Sequence, residues 1–271
     1  MNFFKKLFGS SVSPSEEEQK EAEGKEFDVL KYDGMRAFKT GETAFAIECF
    51  RHALRLQEDL EVRDYLSQAL IQSNELLKAY DELQKLADAE PDNIQIVIRM
   101  AHVAYMMENY TVMGDACERG KLLDKDNVDI NYLYARACLG MGDLVNTIAM
   151  LTKTISLDED YVSAYQLRGE TLLKMGDVEG ADADVAWLLN HDETNEDALL
   201  LKARIEKQHH ASAMEFYGKV IAQNPFNVDA FRERGAIRLA QGDKQGAEED
   251  MKQVLELSPE MQQEVSGDYS N

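Results

Sequence analysis

His209 and His210 are adjacent, with Glu206 and His191 not far off in the chain, and imidazoles and a carboxylate are the ligand types that hold zinc. Successive side chains of a helix point about 100° apart, however, so neighbouring histidines rarely close on one ion. Cys49, Cys117 and Cys138 lie 68 and 21 residues apart. Their odd number and wide spacing give neither a disulfide framework nor close metal-ligand pairs, and fit a reducing, cytoplasmic location. Acidic runs such as Glu16-Glu17-Glu18 and Glu248-Glu249-Asp250 read as solvated surface rather than paired catalytic acids. No phosphate loop, dinucleotide fingerprint, HExxH, CxxC or calcium-loop pattern occurs. No catalytic residue, metal site or cofactor is assigned, and the chain reads as a protein that is not an enzyme.

Charge narrows the partners. The 271 residues carry 29 Lys and Arg against 51 Asp and Glu, a net charge of −22. Repulsion on that scale opposes the phosphate contacts that supply most nucleic-acid affinity, so no nucleic-acid partner is expected. With 44% hydrophobic residues and only 4 Pro, the composition is that of a folded protein rather than an acidic disordered tail. No apolar run approaches the roughly 18 to 20 residues that span a bilayer. At the start, Phe3, Phe4, Leu7 and Phe8 fall on one face of a short amphipathic segment, 1–9, opposite Lys5 and Lys6. That pattern suits a weak anchor in a membrane surface or a partner's groove. Residues 10–26, rich in Ser and Glu, read as a solvated linker.

The elements that must position any site follow from a repeat. Small residues recur at Gly34, Ser67, Ala101, Ala135, Gly169, Ala203 and Gly235, 32 to 34 residues apart. A second column runs through Ala46, Ala79, Met113, Thr147, Ala181, Ala213 and Ala247, and four residues after each stands Phe50, Leu83, Cys117, Leu151, Val185, Tyr217 or Met251. Apolar residues recur at helical spacing in two segments per period, separated by turns such as Gly142-Asp143, Gly176-Asp177 and Gly242-Asp243. Each period is a helix, a turn and a second helix. Small residues face one another where helix axes cross about 8 to 10 Å apart, and Pro91, Pro225 and Pro259 close their periods.

These columns resemble the tetratricopeptide repeat family, most clearly over Tyr165 to Leu188 and Phe231 to Pro259. The resemblance implies an all-α, right-handed superhelical solenoid of about seven helix-turn-helix repeats: 27–59, 60–93, 94–127, 128–161, 162–195, 196–227 and 228–261, followed by a polar tail, 262–271. The pattern departs at Met113 and Gly120, and repeat six lacks two residues near Gln208-His209-His210. A local change of twist is expected there.

The resemblance further implies that the first helix of each repeat lines a concave, partner-binding groove. The lining columns carry Lys31, Tyr65, Arg99, His102 and Tyr105, then Tyr132, Arg136, Arg204 and Arg232, with Met35, Glu170 and Leu200 in line. Arg beside Tyr is the composition of a binding hot spot suited to an acidic peptide. The clamp by which some relatives hold chaperone tails is absent. Starting from Lys31 the corresponding residues are Met35, Tyr65, Gln95 and Arg99, and only the first and last fit. The expected function is a non-catalytic scaffold or adaptor holding an extended or helical segment of another protein. The alternative is a membrane-apposed assembly factor or co-chaperone-like protein, cytoplasmic and peripheral at the membrane. An apolar C-terminal edge is expected to allow a homodimer.

Overall fold

The computed structural model describes residues 16–259. Phe3, Phe4, Leu7 and Phe8 and the polar tail 262–271 lie outside the described residues. Everything described is helix and turn, without a strand. The helices pair in order: α1 (Glu16–Thr40) with α2 (Thr43–Leu56), α3 (Leu60–Gln72) with α4 (Leu76–Ala89), and α5 (Ile94–Met106) with α6 (Tyr110–Leu123). There follow α7 (Val128–Gly140) with α8 (Leu144–Leu157), α9 (Val162–Met175) with α10 (Val178–His191), α11 (Glu196–Ile205) with α12 (His210–Gln223), and α13 (Val228–Ala240) with α14 (Lys244–Leu257).

The turn within each pair is built from two side-chain properties. Gly41, Gly142, Gly176 and Gly242 end the first helix at φ between 79° and 86°, a conformation that costs glycine little. Asn74 and Glu108 hold the same place at φ 60° and 55°. In four of the pairs the side chain of the next residue caps the second helix. Asp143, Asp177 and Asp243 accept the N–H groups of Asn146, Gly180 and Gly246, and Asn109 accepts that of Val112. A matching column of caps opens the first helices. Asp59, Asn93, Asn127, Asn195 and Asn227 each accept a backbone N–H two or three residues on.

The chain divides into two compact units, one ending at Lys125 and the other beginning at Asp126. In the first, the second helix of each pair packs on the first helix of the next, α2 on α3 and α4 on α5. Tyr65 stacks on Phe50, ring centres 5.8 Å apart, and meets Phe38 edge-on at 6.2 Å. A Cβ on Gly34 would stand 2.6 Å from the Phe50 ring, so only glycine fits that crossing. Met113, larger than its column mates, is fully buried.

The second unit repeats the arrangement, α8 on α9, α10 on α11 and α12 on α13. Tyr165, Trp187 and His191 form one stack with successive ring centres 3.7 Å apart. Arg168 makes two hydrogen bonds to the buried Asp184, of 2.6 and 2.9 Å, and Arg234 two to Asp250, of 2.6 and 3.0 Å. The two residues missing from repeat six are absorbed locally. α11 stops at Ile205 and a 3₁₀ turn, Glu206–Gln208, carries the chain to α12.

One expectation is corrected. Residues 16–26 are the first turns of α1 rather than linker. Glu, Gln, Ala and Lys are good helix formers even without burial, and Lys25 reaches back 2.7 Å to Glu21 one turn earlier. Polarity there signals solvent exposure, not an absence of helix.

Candidate functional site

The three cysteines are free and buried, and burial pushes the Cys49 thiol above its ordinary range. They pack as small hydrophobes. His191 lies on Trp187 with Nδ1 2.9 Å from the Trp187 carbonyl oxygen, whereas His209 points to Glu206, 3.2 Å away. Among the described residues no three His, Cys, Asp or Glu side chains are grouped to hold a metal ion.

Open hollows lie along the first helices in each unit. In the first unit an open cavity of about 310 Å³ lies between α3, the end of α4 and α5. Arg99 stands on its wall with Nη1 2.5 Å from Asp64, and Leu60, Leu86 and Ile96 make the apolar part. Lys31 bridges to Glu61 at 2.6 Å and Asp59 at 3.2 Å. The hydrogen bond to Glu61 and the paired carboxylates outweigh burial and raise the Lys31 ammonium above its usual range. Tyr65 spends its ring on packing against Phe50 and Phe38. His102 and Tyr105 are exposed on α5, Tyr105 edge-on to Tyr110 at 6.2 Å.

In the second unit Tyr132 and Arg136 of α7 meet Ser163, Gln166, Leu167 and Glu170 of α9 around an open cavity of about 180 Å³. The Arg136 guanidinium sits 5.9 Å from the centre of the Tyr132 ring, which leans on Tyr161 at 5.0 Å. Burial, then the charge of Asp129, pushes the Tyr161 hydroxyl up to about 12. Glu170 keeps an exposed face, yet desolvation, helped by the charge of Asp197 and opposed by a hydrogen bond with Gln166, raises its carboxyl above the usual range. Arg204 binds Glu233 at 2.7 Å and Asp229 at 3.4 Å, Arg232 binds Asp229 at 2.5 Å, and the Tyr217 hydroxyl donates to Glu233 at 2.8 Å.

Arg99, Lys31, Arg204 and Arg232 are thus each bound to carboxylates, and the lining is mixed in charge rather than a basic strip. Gln166 and Glu170 complete the α7–α9 cavity. Both stand one period after Tyr132 and Arg136; Glu170 is already among the residues in line with the expected lining, and the same spacing is the signal by which Gln166 could be found from sequence.

No family model matches the sequence, and no curated protein is significantly similar to it in sequence. Solved structures are similar in fold. A tetratricopeptide repeat protein from Parabacteroides merdae superposes with a TM-score of 0.71 over 86% of this chain and 94% of its own, at 15% identity. The fold is that of tetratricopeptide repeats. PilW, described as a widely conserved type IV pilus biogenesis factor, shares it at a TM-score of 0.65 and 17% identity, over 75% of this chain and 95% of its own. So does YrrB, described as a tetratricopeptide repeat protein with an unusual peptide-binding site, at 0.53 and 14%, over 65% of this chain and 92% of its own.

Proposed function

We propose that the protein is a non-catalytic scaffold or adaptor that holds a segment of a partner protein against the open face of its first helices. The observation that carries this is the α7–α9 cavity, where a tyrosine, an arginine, a glutamine and a glutamate from helices one period apart converge on an open, partly apolar hollow. Such a surface offers donors, acceptors and a ring face at the spacing of an extended or helical peptide. With both Arg136 and Glu170 on its wall, it favours a segment of mixed polarity over the purely acidic one suggested by sequence.

The fold similarity to YrrB, whose own description includes a peptide-binding site, agrees with this reading. The alternative of a membrane-apposed assembly factor rests on Phe3, Phe4, Leu7 and Phe8. Among the described residues no helix is long and apolar enough to cross a membrane.

A photo-crosslinking side chain placed at Gln166, compared with one at Lys219 on α12, tests the proposal. Crosslinks from position 166 should map to one segment of one partner. A synthetic peptide of that segment should bind the wild type about tenfold more tightly than Tyr132→Ala with Arg136→Ala, a loss of about 1.4 kcal/mol. Equal crosslinking from both positions, or unchanged peptide affinity, would refute it.

A further inference from the structure

The two ends of the described chain leave open positions that every interior repeat closes. Val62, Ile96, Ile130, Ala164, Ala198 and Ala230 occupy one position of the first helices and are at most 2% exposed. Val29, their counterpart on α1, is 59% exposed. At the other end Phe50, Leu83, Cys117, Leu151, Val185 and Tyr217 are at most 1% exposed, while Met251 of α14 is 37% exposed. Beside it Leu239, Ala236 and Ala247 line an open apolar hollow of about 400 Å³, with Arg232, Lys244 and Glu248 also on its wall. Among the described residues, no helix packs before α1 and none after α14.

The missing neighbours correspond residue by residue. Where α3 docks on α1 and α2, Tyr65 packs on Phe50 and Phe38, and Lys31 reaches Glu61 and Asp59. In the repeat register, Phe50 and Phe38 become Met251 and Leu239 at the C-terminal edge, and Lys31 becomes Arg232. Tyr65 becomes Tyr32 on α1, which is 65% exposed, while Glu61 and Asp59 become Asp28 and Glu26, both exposed.

We propose that a second copy of this chain docks its α1 on the α13–α14 edge, in the register by which α3 docks on α1 and α2. Tyr32 of the second copy covers Met251 and Leu239, a sulfur–aromatic and an apolar contact. Asp28 and Glu26 of the second copy face Arg232, and Val29 enters the hollow. Apolar shape and charge agree at both ends, which selects a second copy over an unrelated partner. The contact joins two different patches, so it is heterologous. It leaves one edge of each kind open on every pair, and assembly continues to a ring or a filament.

Sedimentation of the full chain over a concentration series tests this, with two edge variants at exposed positions: Val29→Asp with Tyr32→Asp, and Leu239→Asp with Met251→Asp. Circular dichroism melts check that both fold. The wild type should grow beyond a dimer with concentration, and each variant alone should stay monomeric. An equimolar mixture of the two variants should give a dimer and nothing larger, because only one intact edge of each kind remains.

Three results would overturn the proposal. One is a wild type that stays monomeric while deletion of residues 260–271 makes it associate, which would give the edge to the chain's own tail. Another is a wild type monomeric with and without those residues. The last is association by the Val29→Asp, Tyr32→Asp variant alone, which would mean a symmetric contact between two C-terminal edges.

Discussion

The α5–α6 hairpin and the α9–α10 hairpin solve one packing problem with opposite chemistry. At equivalent places of the repeat, just before the small residue of the first helix and three residues after the small column of the second, α5–α6 has Met100 and Ala116. Both are buried and apolar. The same two places in α9–α10 hold Arg168 and Asp184, joined by two hydrogen bonds with Asp184 3% exposed. The α13–α14 hairpin repeats the ionic solution with Arg234 and Asp250. Backbone geometry therefore does not dictate which chemistry fills the crossing. What differs is the consequence of error: an apolar contact tolerates small shifts, whereas a forked guanidinium–carboxylate pair is satisfied in one register.

The largest effect should come from breaking the ionic version on one side. Asp184→Ala leaves the Arg168 guanidinium, itself mostly covered, without its buried partner. A cost of about 3–5 kcal/mol is expected, read as a lowered midpoint in urea unfolding. A loss under about 1 kcal/mol would mean that Thr152, 3.1 Å from Arg168 Nη1, or water replaces the carboxylate.

A smaller effect belongs to another ionic contact of the second unit, between Arg204 and Glu233. Burial would raise the Glu233 carboxyl, but its hydrogen bonds from Arg204 and Tyr217 prevail and hold it below the ordinary range. A carboxyl depressed in the folded state adds stability above its unfolded value, near 4.5, and loses it as pH falls through the lower folded value. Glu233→Gln should cost about 1.5–3 kcal/mol at pH 7, as expected for hydrogen bonds to a charged group. The difference from wild type should shrink as the pH is lowered below about 4. Parallel stability curves for the two proteins down to about pH 3 would remove Glu233 from the acid response.

These contacts also mark how far the sequence could be read. The hairpins were legible because small residues at a strict period are what closely crossing helices require, and the positive-φ glycines Gly142, Gly176 and Gly242 stand at the matching turns. The cap column of Asp59, Asn93, Asn127, Asn195 and Asn227 is equally periodic, yet polar residues between helices suggest a loop until their acceptor role is seen. Residues 16–26 look like linker by their polarity, whereas their helix propensity decides the structure. The pairing of the first-helix arginines is hidden for a different reason. Arg99 meets Asp64 and Arg204 meets Glu233 across neighbouring repeats, 35 and 29 residues apart. Which carboxylate a long side chain reaches depends on the rotation of two helices about their axes, and spacing alone leaves that open.

The smallest effect is the most instructive, because it converts one hairpin's chemistry into the other's. Arg168→Met with Asp184→Ala places the α5–α6 pair, Met100 and Ala116, at the α9–α10 crossing. Removing both charges abolishes the desolvation cost of each, so the double variant should lie within about 1 kcal/mol of wild type or above it. Its coupling energy against the single variants should then be several kcal/mol. Stability alone would not separate the two chemistries, but amide hydrogen exchange would. If the ion pair fixes register, α9 and α10 should exchange faster in the double variant at unchanged global stability. Unchanged exchange would mean that the apolar columns around Ala181, Val185 and Leu188 set the register unaided. A double variant as unstable as Asp184→Ala would instead show that the pair contributes net stability beyond what packing supplies.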